Sequence, residues 1–416
     1  MGTAGAPVAF VRPLPWSSLS IVPTRPWPPG DRGPCNPSYR MEASAEALTR
    51  DWSWVTHDQL SIGDEILAYD PATDATCWEP VTDLYRYEGE TELIHWKSGR
   101  IDIKTTPNHR WWTLAQQAAQ RRRPQFMSTE HVSGKYIRVK IGGGTPEAFR
   151  DDPVLSDELV ELLGWVTTEG HFVRWVSQVG RKSRACDRCQ QEADSPRGTR
   201  CPDCGRQGAQ RPRPRVTAAT SQVSGVHFTQ SHTANPKHVA RIREMVQRLT
   251  GQGFTISEKV STKQGRGKLP NVQSRWVFSG ALGRQVRQLV PGKRLTPALL
   301  GMLTAAQAEL LLDTLIAGDG HVPASGRRRY TQKNRSQLAD VAMLCAMLGI
   351  RTALHDNGQG VGVLYVGVMD TLTGKHVHAR RVSYSGVIWC PTVRTGIFMA
   401  RNRGYTFWTG TASSTR

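Results

Sequence analysis

Two helical stretches, each ending in an acidic residue followed by glycine, constrain this chain more than any other feature. Residues 156–170 (SDELVELLGWVTTEG) and 304–320 (TAAQAELLLDTLIAGDG) carry apolar residues at helical spacing. The first opens on Ser156 at an N-cap position, has acids in its first turn and stops at Gly170. Each stretch is followed by β-type sequence and then an amphipathic helix, VHFTQSHTANPKHVARIREMVQRLTG in one case and RRYTQKNRSQLADVAMLCAMLG in the other. Both continuations run aromatic-Thr-Gln, a polar turn, then a helix ending in Leu-Thr-Gly or Leu-Gly. The two acid-glycine steps lie 150 residues apart, so an inserted segment enlarges the first copy. Two copies of helix, strands, helix predict a pseudo-dimer within one chain.

Small residues recur at four-residue spacing in the two helices, Gly164 and Thr168 in one and Thr314 and Gly318 in the other. Residues so spaced share a face, which lets the helices approach closely. Glu169 and Asp319 then emerge side by side at the helix ends. Paired carboxylates suit Mg²⁺, a hard cation with oxygen ligands, and can clamp the attacking and leaving oxygens of phosphodiester hydrolysis. The competing reading, an ordinary helix cap, explains one such motif more easily than two on a repeat.

The chain has 416 residues, enough for two or three domains, of which 38% are hydrophobic and 21% charged. Its formal net charge of +19 favours a polyanionic partner, nucleic acid ahead of acidic membrane, over a soluble basic protein without one. RRRYTQK (327–333), VSTKQGRGK (260–268) and RVTAATSQ (215–222) supply Arg, Lys and Gln for phosphates and base edges. No apolar run approaches the roughly 20 residues of a membrane helix. Pro13, Pro15 and Pro23 interrupt any signal-peptide core.

Eight cysteines are too few for a disulfide scaffold of this length. Four form the pattern Cys186-x2-Cys189 and Cys201-x2-Cys204, which predicts a structural Zn²⁺ ribbon across residues 181–212. Its basic, polar surroundings cannot supply an apolar core, so metal binding supplies the folding free energy. A redox dithiol is the alternative. Reduced, metal-binding cysteines predict a cytoplasmic protein.

Residues 1–40 are Pro-rich with a single acid, Asp31, and read as a disordered flank. LSIGDEILAYDP, PVTDLYRYEG, TELIHWKSGRIDIKTTPNHRWWTL and KYIRVKI then alternate apolar and polar residues and are broken by Gly, Asp and Pro. β character returns after about residue 375 in HARRVSYSGVIWCPTV and GIFMARNRGYTFWTG. A β-domain on both sides of an α/β segment predicts nesting of one domain in the other.

LLGWVTTEG (162–170) and LDTLIAGDG (312–320) resemble the two motifs of LAGLIDADG homing endonucleases, in which the catalytic acids stand where Glu169 and Asp319 stand here. Lys293-Arg294-Leu295-Thr296-Pro297 resembles that family's lysine block, implying that Lys293 stabilises developing phosphate charge; a lone surface lysine is otherwise only solvated. The flanking β-segments resemble the Hint domain of inteins. Thr106-Pro107-Asn108-His109 is similar to its Thr-x-x-His block, and SGVIWCPTV and FWTG to its late blocks. Cys390, Trp111 and Thr409 resemble the trio of class 3 phage inteins, whose late-block cysteine attacks the N-terminal junction. Taken alone, Cys390 also reads as a core cysteine.

The resemblance implies an α+β multidomain protein: a Hint domain (41–150 and 375–411) split by a two-repeat endonuclease (151–374, αββαββα-like repeats) carrying the zinc ribbon, with a 412–416 tail. The implied function is a Mg²⁺-dependent double-strand DNA endonuclease, monomeric with pseudo-two-fold symmetry, inside a splicing domain joined in cis to a host extein. Arg40 and Met41 occupy the expected start without a nucleophile, Cys35 falls too early, and Thr411 stands where Asn is expected. The implied C-terminal splicing step is therefore impaired. The rival readings are a zinc-ribbon DNA-binding protein and a Hint autoprocessing protein with an inactive endonuclease.

Overall fold

Helix α1 (Asp157–Glu169) starts where Ser156, in extended backbone, accepts a hydrogen bond from the Leu159 amide, with Asp157 and Glu158 on the positive end of the helix dipole. In the computed structural model the described residues are 39–411 apart from 52, 115–122, 176–183, 187–191, 194–209, 213–221, 264–269 and 357. The chain continues from α1 through β1 (His171–Trp175), β2 (Gln222–Ser231), α2 (Pro236–Gly251), β3 (Ile256–Lys263), β4 (Asn271–Ser279) and α3 (Gly280–Leu289). The second copy runs α4 (Ala305–Asp319), β5 (Gly320–His321), β6 (Arg329–Gln332), α5 (Arg335–Met347), β7 (Thr352–Asp356) and β8 (Gly362–Val366). Helix α4 opens with a reciprocal capping box between Thr304 and Gln307. With seven α-helices and more sheet than helix among the described residues, the fold is of mixed α and β type.

Each copy forms an antiparallel sheet with the same strand order. The first runs β1-β2-β4-β3 and the second β5-β6-β8-β7. Val226, Phe228, Trp276 and Phe278 of the first sheet point inward, and Tyr330, Leu364 and Val366 do the same in the second. All seven join one core with the buried faces of α1 and α4.

The two acid-bearing helices meet through a reciprocal notch. A Cβ on Gly164 would stand 2.7 Å from the Thr314 side chain, and one on Gly318 would strike the Thr168 side chain. Glycine on one helix thus receives threonine from the other, twice, one turn apart. Since residue 164 faces 314 and 168 faces 318, the helices run parallel and their C-termini lie together. Gly170 and Gly320 end them where a Cβ would collide with the carbonyls of Val166 and Ile316 respectively.

The remaining strands are mostly β-structure. Met41–Glu42, Asp83–Ser98, Ile101–Thr105 and His378–Thr392 close into a barrel. Its core includes Trp96, Trp111, Trp389 and Phe407. The sequence pattern predicts a break at Gly89, but Asp83–Ser98 is a single strand paired along its length with His378–Thr392. Gly89 lies opposite Gly386, so the strand passes a position with no side chain on either partner. The α/β segment leaves and returns through neighbouring antiparallel strands, since Arg138–Lys140 pairs with Thr371–Thr373. The second sheet also continues into the β-region through an Ala353–Tyr405 pair, beside which buried Arg351 donates to the Thr406 and Met369 carbonyls. Among the described residues no helix is long and apolar enough to cross a membrane.

Overpacking the notch should be costly. Gly318→Leu is expected to lower stability by about 1–3 kcal/mol or more, read as a lower urea midpoint at unchanged slope.

Candidate active sites

The helix notch decides where the acids go. One turn beyond Gly164 and Thr314, the paired α1 and α4 end at Glu169 and Asp319, both partly buried. Burial and the neighbouring Asp319 push the Glu169 carboxyl above the usual carboxylate range. Burial also raises Asp319, opposed by Lys293 and by a hydrogen bond from Gln332. Lys293 stands beside both acids. Its Nζ donates to the Thr168 carbonyl at 2.6 Å, and burial lowers its pKa against the pull of the two carboxylates.

Local strain and buried bonds fix that lysine. Gly292 and Lys293 both adopt left-handed backbone, with φ of 60° and 65°. The Gln337 side chain donates to the Lys293 carbonyl at 2.9 Å. Arg294 makes a two-point ion pair with buried Asp340, which also accepts the Leu295 amide. The turn is therefore held from α5.

Two site residues were missed by sequence reasoning, although their signal was visible. The aromatic-Thr-Gln step shared by the copies places Gln230 and Gln332 on equivalent strands. Gln230 Nε2 donates to Glu169 Oε1 at 3.3 Å, and Gln332 Nε2 donates to Asp319 Oδ2. Each acid is oriented by the glutamine of its own copy. On the outer faces, between the inward-pointing residues, stand His171, His227, Thr229, Lys259 and Arg275 in the first sheet, and Arg329 and Thr331 in the second. Of the segments assigned to nucleic acid, 215–221 and 264–268 lie outside the described residues.

A second cluster lies in the β-region. Thr106 Oγ1 accepts the Arg40 amide hydrogen at 3.0 Å, and the Thr106 amide donates to the Arg40 carbonyl. His109 is fully buried and shares a 2.6 Å hydrogen bond with Thr409 Oγ1. Burial pushes its imidazole down to about 3, against the Tyr39 backbone, which favours the protonated ring. Trp111 meets His109 edge-on at 5.3 Å, stacks on Trp96 and donates to Thr129 Oγ1. Cys390 is buried, its Sγ 3.8 Å from the Gly410 carbonyl, one residue beyond Thr409. Thus Thr106, His109, Trp111, Thr409 and Cys390, distant in sequence, share one end of the barrel. Thr411 is buried and its amide donates to the Gly396 carbonyl.

The zinc assignment falls outside the described residues: Cys189, Cys201 and Cys204 are not among them, and Cys186 is described only as backbone of the strand Arg184–Cys186. Among the described residues no group of three or more His, Cys, Asp or Glu could hold a metal ion. Glu169 and Asp319 are only two, yet their donor chemistry fits a hard divalent cation. Both are oxygen donors whose ionised forms burial disfavours, a penalty that a bound cation offsets.

No family model matches this chain, and neither does any curated protein. Among solved structures it is similar to the homing endonuclease I-WcaI bound to its DNA recognition sequence, with 8% identity, 52% of this chain and 77% of that chain covered, and a TM-score of 0.26.

The raised carboxyls imply a pH-dependent penalty. A carboxyl whose folded pKa exceeds its unfolded value contributes stability only while protonated, present below the ordinary Asp value of 3.8 and lost as pH rises through the higher folded value. Asp319→Asn should therefore melt a few degrees above wild type at pH 7.5 in chelator, with the gap closing toward pH 4. Calorimetry across that range checks this.

Proposed function

We propose that this chain is a site-specific DNA endonuclease of the LAGLIDADG kind, nested in a Hint-type autoprocessing β-domain. The observation that carries the first half is the Glu169–Asp319 pair at the joined ends of two parallel helices, one from each copy of a repeated sheet. Two sheets of the same order, with basic and polar residues on their outer faces, suit a duplex. Its two strands are themselves related by two-fold symmetry. One acid would then serve each strand.

Mg²⁺ bound between the acids would supply a nucleophilic water at neutral pH and neutralise charge on the leaving oxygen. The chain's own groups do the rest. Gln230 and Gln332 orient the carboxylates. Lys293, held at the Thr168 carbonyl, offers a fixed positive charge to the phosphodiester as negative charge develops. The strained turn keeps that charge from relaxing toward solvent.

The second half rests on the Thr106–Arg40 hydrogen bonds. They bring the Tyr39–Arg40 peptide to Thr106 and His109, the groups an autoprocessing site uses to polarise a scissile amide. A neutral buried His109 can hold or pass a proton at the leaving nitrogen. Cys390 is the nucleophile of this reading, and Thr411 in place of Asn leaves the C-terminal release step without its succinimide-forming amide.

Incubation with Mg²⁺ and a DNA library containing the uninterrupted host site, followed by sequencing of breaks, tests the first half. Glu169→Ala and Asp319→Ala are expected to abolish cutting while retaining binding, and Lys293→Met to slow cutting by about 100-fold. Binding without cutting by the wild type would favour the rival basic binding protein. Placed between two reporter proteins and treated with dithiothreitol, the chain should release a fragment beginning at Arg40 and yield no ligated product, both read by mass spectrometry.

A further inference from the structure

We propose that Arg110 is the cation that sustains the Cys390 thiolate and faces the Tyr39 carbonyl during cleavage of the Tyr39–Arg40 bond. This rests on the autoprocessing reading above and adds a residue to it. The starting point is a chemical requirement: a buried thiol needs a neighbouring positive charge to ionise near neutral pH. His109 cannot provide it, because burial holds the imidazole neutral down to about pH 3.

Arg110 is placed to do so. It follows His109 directly and lies on the strand Arg110–Thr113, whose backbone touches the strand that carries Thr409. A Cβ on Gly410 would collide with the Arg110 carbonyl. That same Gly410 supplies the carbonyl 3.8 Å from Cys390 Sγ, so Gly410 touches both the Arg110 backbone and the thiol. The guanidinium lies over the Phe126 ring at 4.0 Å and over the Tyr39 ring at 5.8 Å. Stacking on Phe126 fixes its plane.

Its partners are also informative. A partly buried guanidinium ordinarily acquires a carboxylate. Among the described residues no carboxylate pairs with Arg110. The titratable acids that act on its charge are the Tyr39 phenol and the Cys390 thiol. Among the described residues no carboxylate therefore competes with the thiol and the Tyr39 residue for this cation.

The reaction balances without a redox partner. Cys390 Sγ bonds to the Tyr39 carbonyl carbon, the bond from that carbon to the Arg40 nitrogen breaks, and the thiol proton ends on the new Arg40 amine. Negative charge passes from sulfur to the carbonyl oxygen and then to the departing Arg40 nitrogen, which takes up the thiol proton. Other titratable groups near the thiol are His109, Tyr85 opposite Cys390 on the neighbouring strand, and Arg40, which lies over Tyr87.

The test measures Cys390 ionisation independently of cleavage. The full chain carries ¹³Cβ-labelled cysteine, and Cys390→Ser assigns the resonance. The Cys390 shift is then followed against pH in wild type, Arg110→Met, Arg110→Lys and Arg40→Met. Arg110→Met is expected to raise the thiol midpoint, and to slow dithiothreitol-induced release of the Arg40 fragment at pH 7 by about 10-fold or more. Arg110→Lys should restore most of both, which a purely structural role would not predict. An unchanged midpoint in folded Arg110→Met, or a shift in Arg40→Met alone, overturns the assignment. If the wild type shows no cleavage but the midpoint still moves with Arg110, the autoprocessing reading fails and the electrostatic pairing stands.

Discussion

The exchange of glycine for threonine between α1 and α4 is the contact on which the rest depends. Gly164 receives Thr314 and Gly318 receives Thr168, so each helix supplies one notch and one filler. Threonine serves the contact twice. Its side chain fills the notch, while Thr168 Oγ1 returns to the Gly164 carbonyl and Thr314 Oγ1 to the Leu310 carbonyl, so both hydroxyls are satisfied. A wider separation would move the two carboxylates apart, remove the repulsion that helps raise Glu169, and draw the Thr168 carbonyl away from Lys293.

That contact also explains why two buried acids are tolerated. Burial disfavours both charges and Asp319 adds to the penalty at Glu169, against the pull of Lys293 and of the Gln230 and Gln332 hydrogen bonds. The helix notch, the Ser156 cap, the Thr304–Gln307 capping box and the Arg294–Asp340 pair hold the geometry against that cost. Such opposition between local electrostatics and global packing is what the proposed catalytic role of the two acids requires.

Much of this was legible in the sequence, for identifiable reasons. Helical spacing and acid-glycine stops locate α1 and α4, and the repeat of aromatic-Thr-Gln aligns the two sheets, because local patterns encode local structure. The long strand through Gly89 was not legible, because its continuity depends on Gly386 opposite, nearly 300 residues away. Gln230 and Gln332 were visible as repeat markers but not as partners of the acids, since only the sheet order turns them toward the helix ends. The pairing of His109 with Thr409 is equally non-local; it was accessible through family resemblance and not through periodicity. Arg110 sat between His109 and Trp111, both recognised, and still went unnoticed, because a stack on Phe126 is a property of three-dimensional surroundings.

The junction between the nested segment and its host has an asymmetry with practical weight. The chain departs and returns through adjacent strands, Arg138–Lys140 and Thr371–Thr373, which invites excision of everything between them. The second sheet, however, is continuous with Tyr405–Gly410, whose outer edge is covered by Thr352–Asp356. Cutting at the adjacent strands would strip that cover and expose the hydrogen-bonding edge of the very strand that carries Thr409. An uncovered edge invites pairing with other chains. A minimal β-domain made this way needs a charged or proline-bearing replacement for the lost strand if it is to stay monomeric.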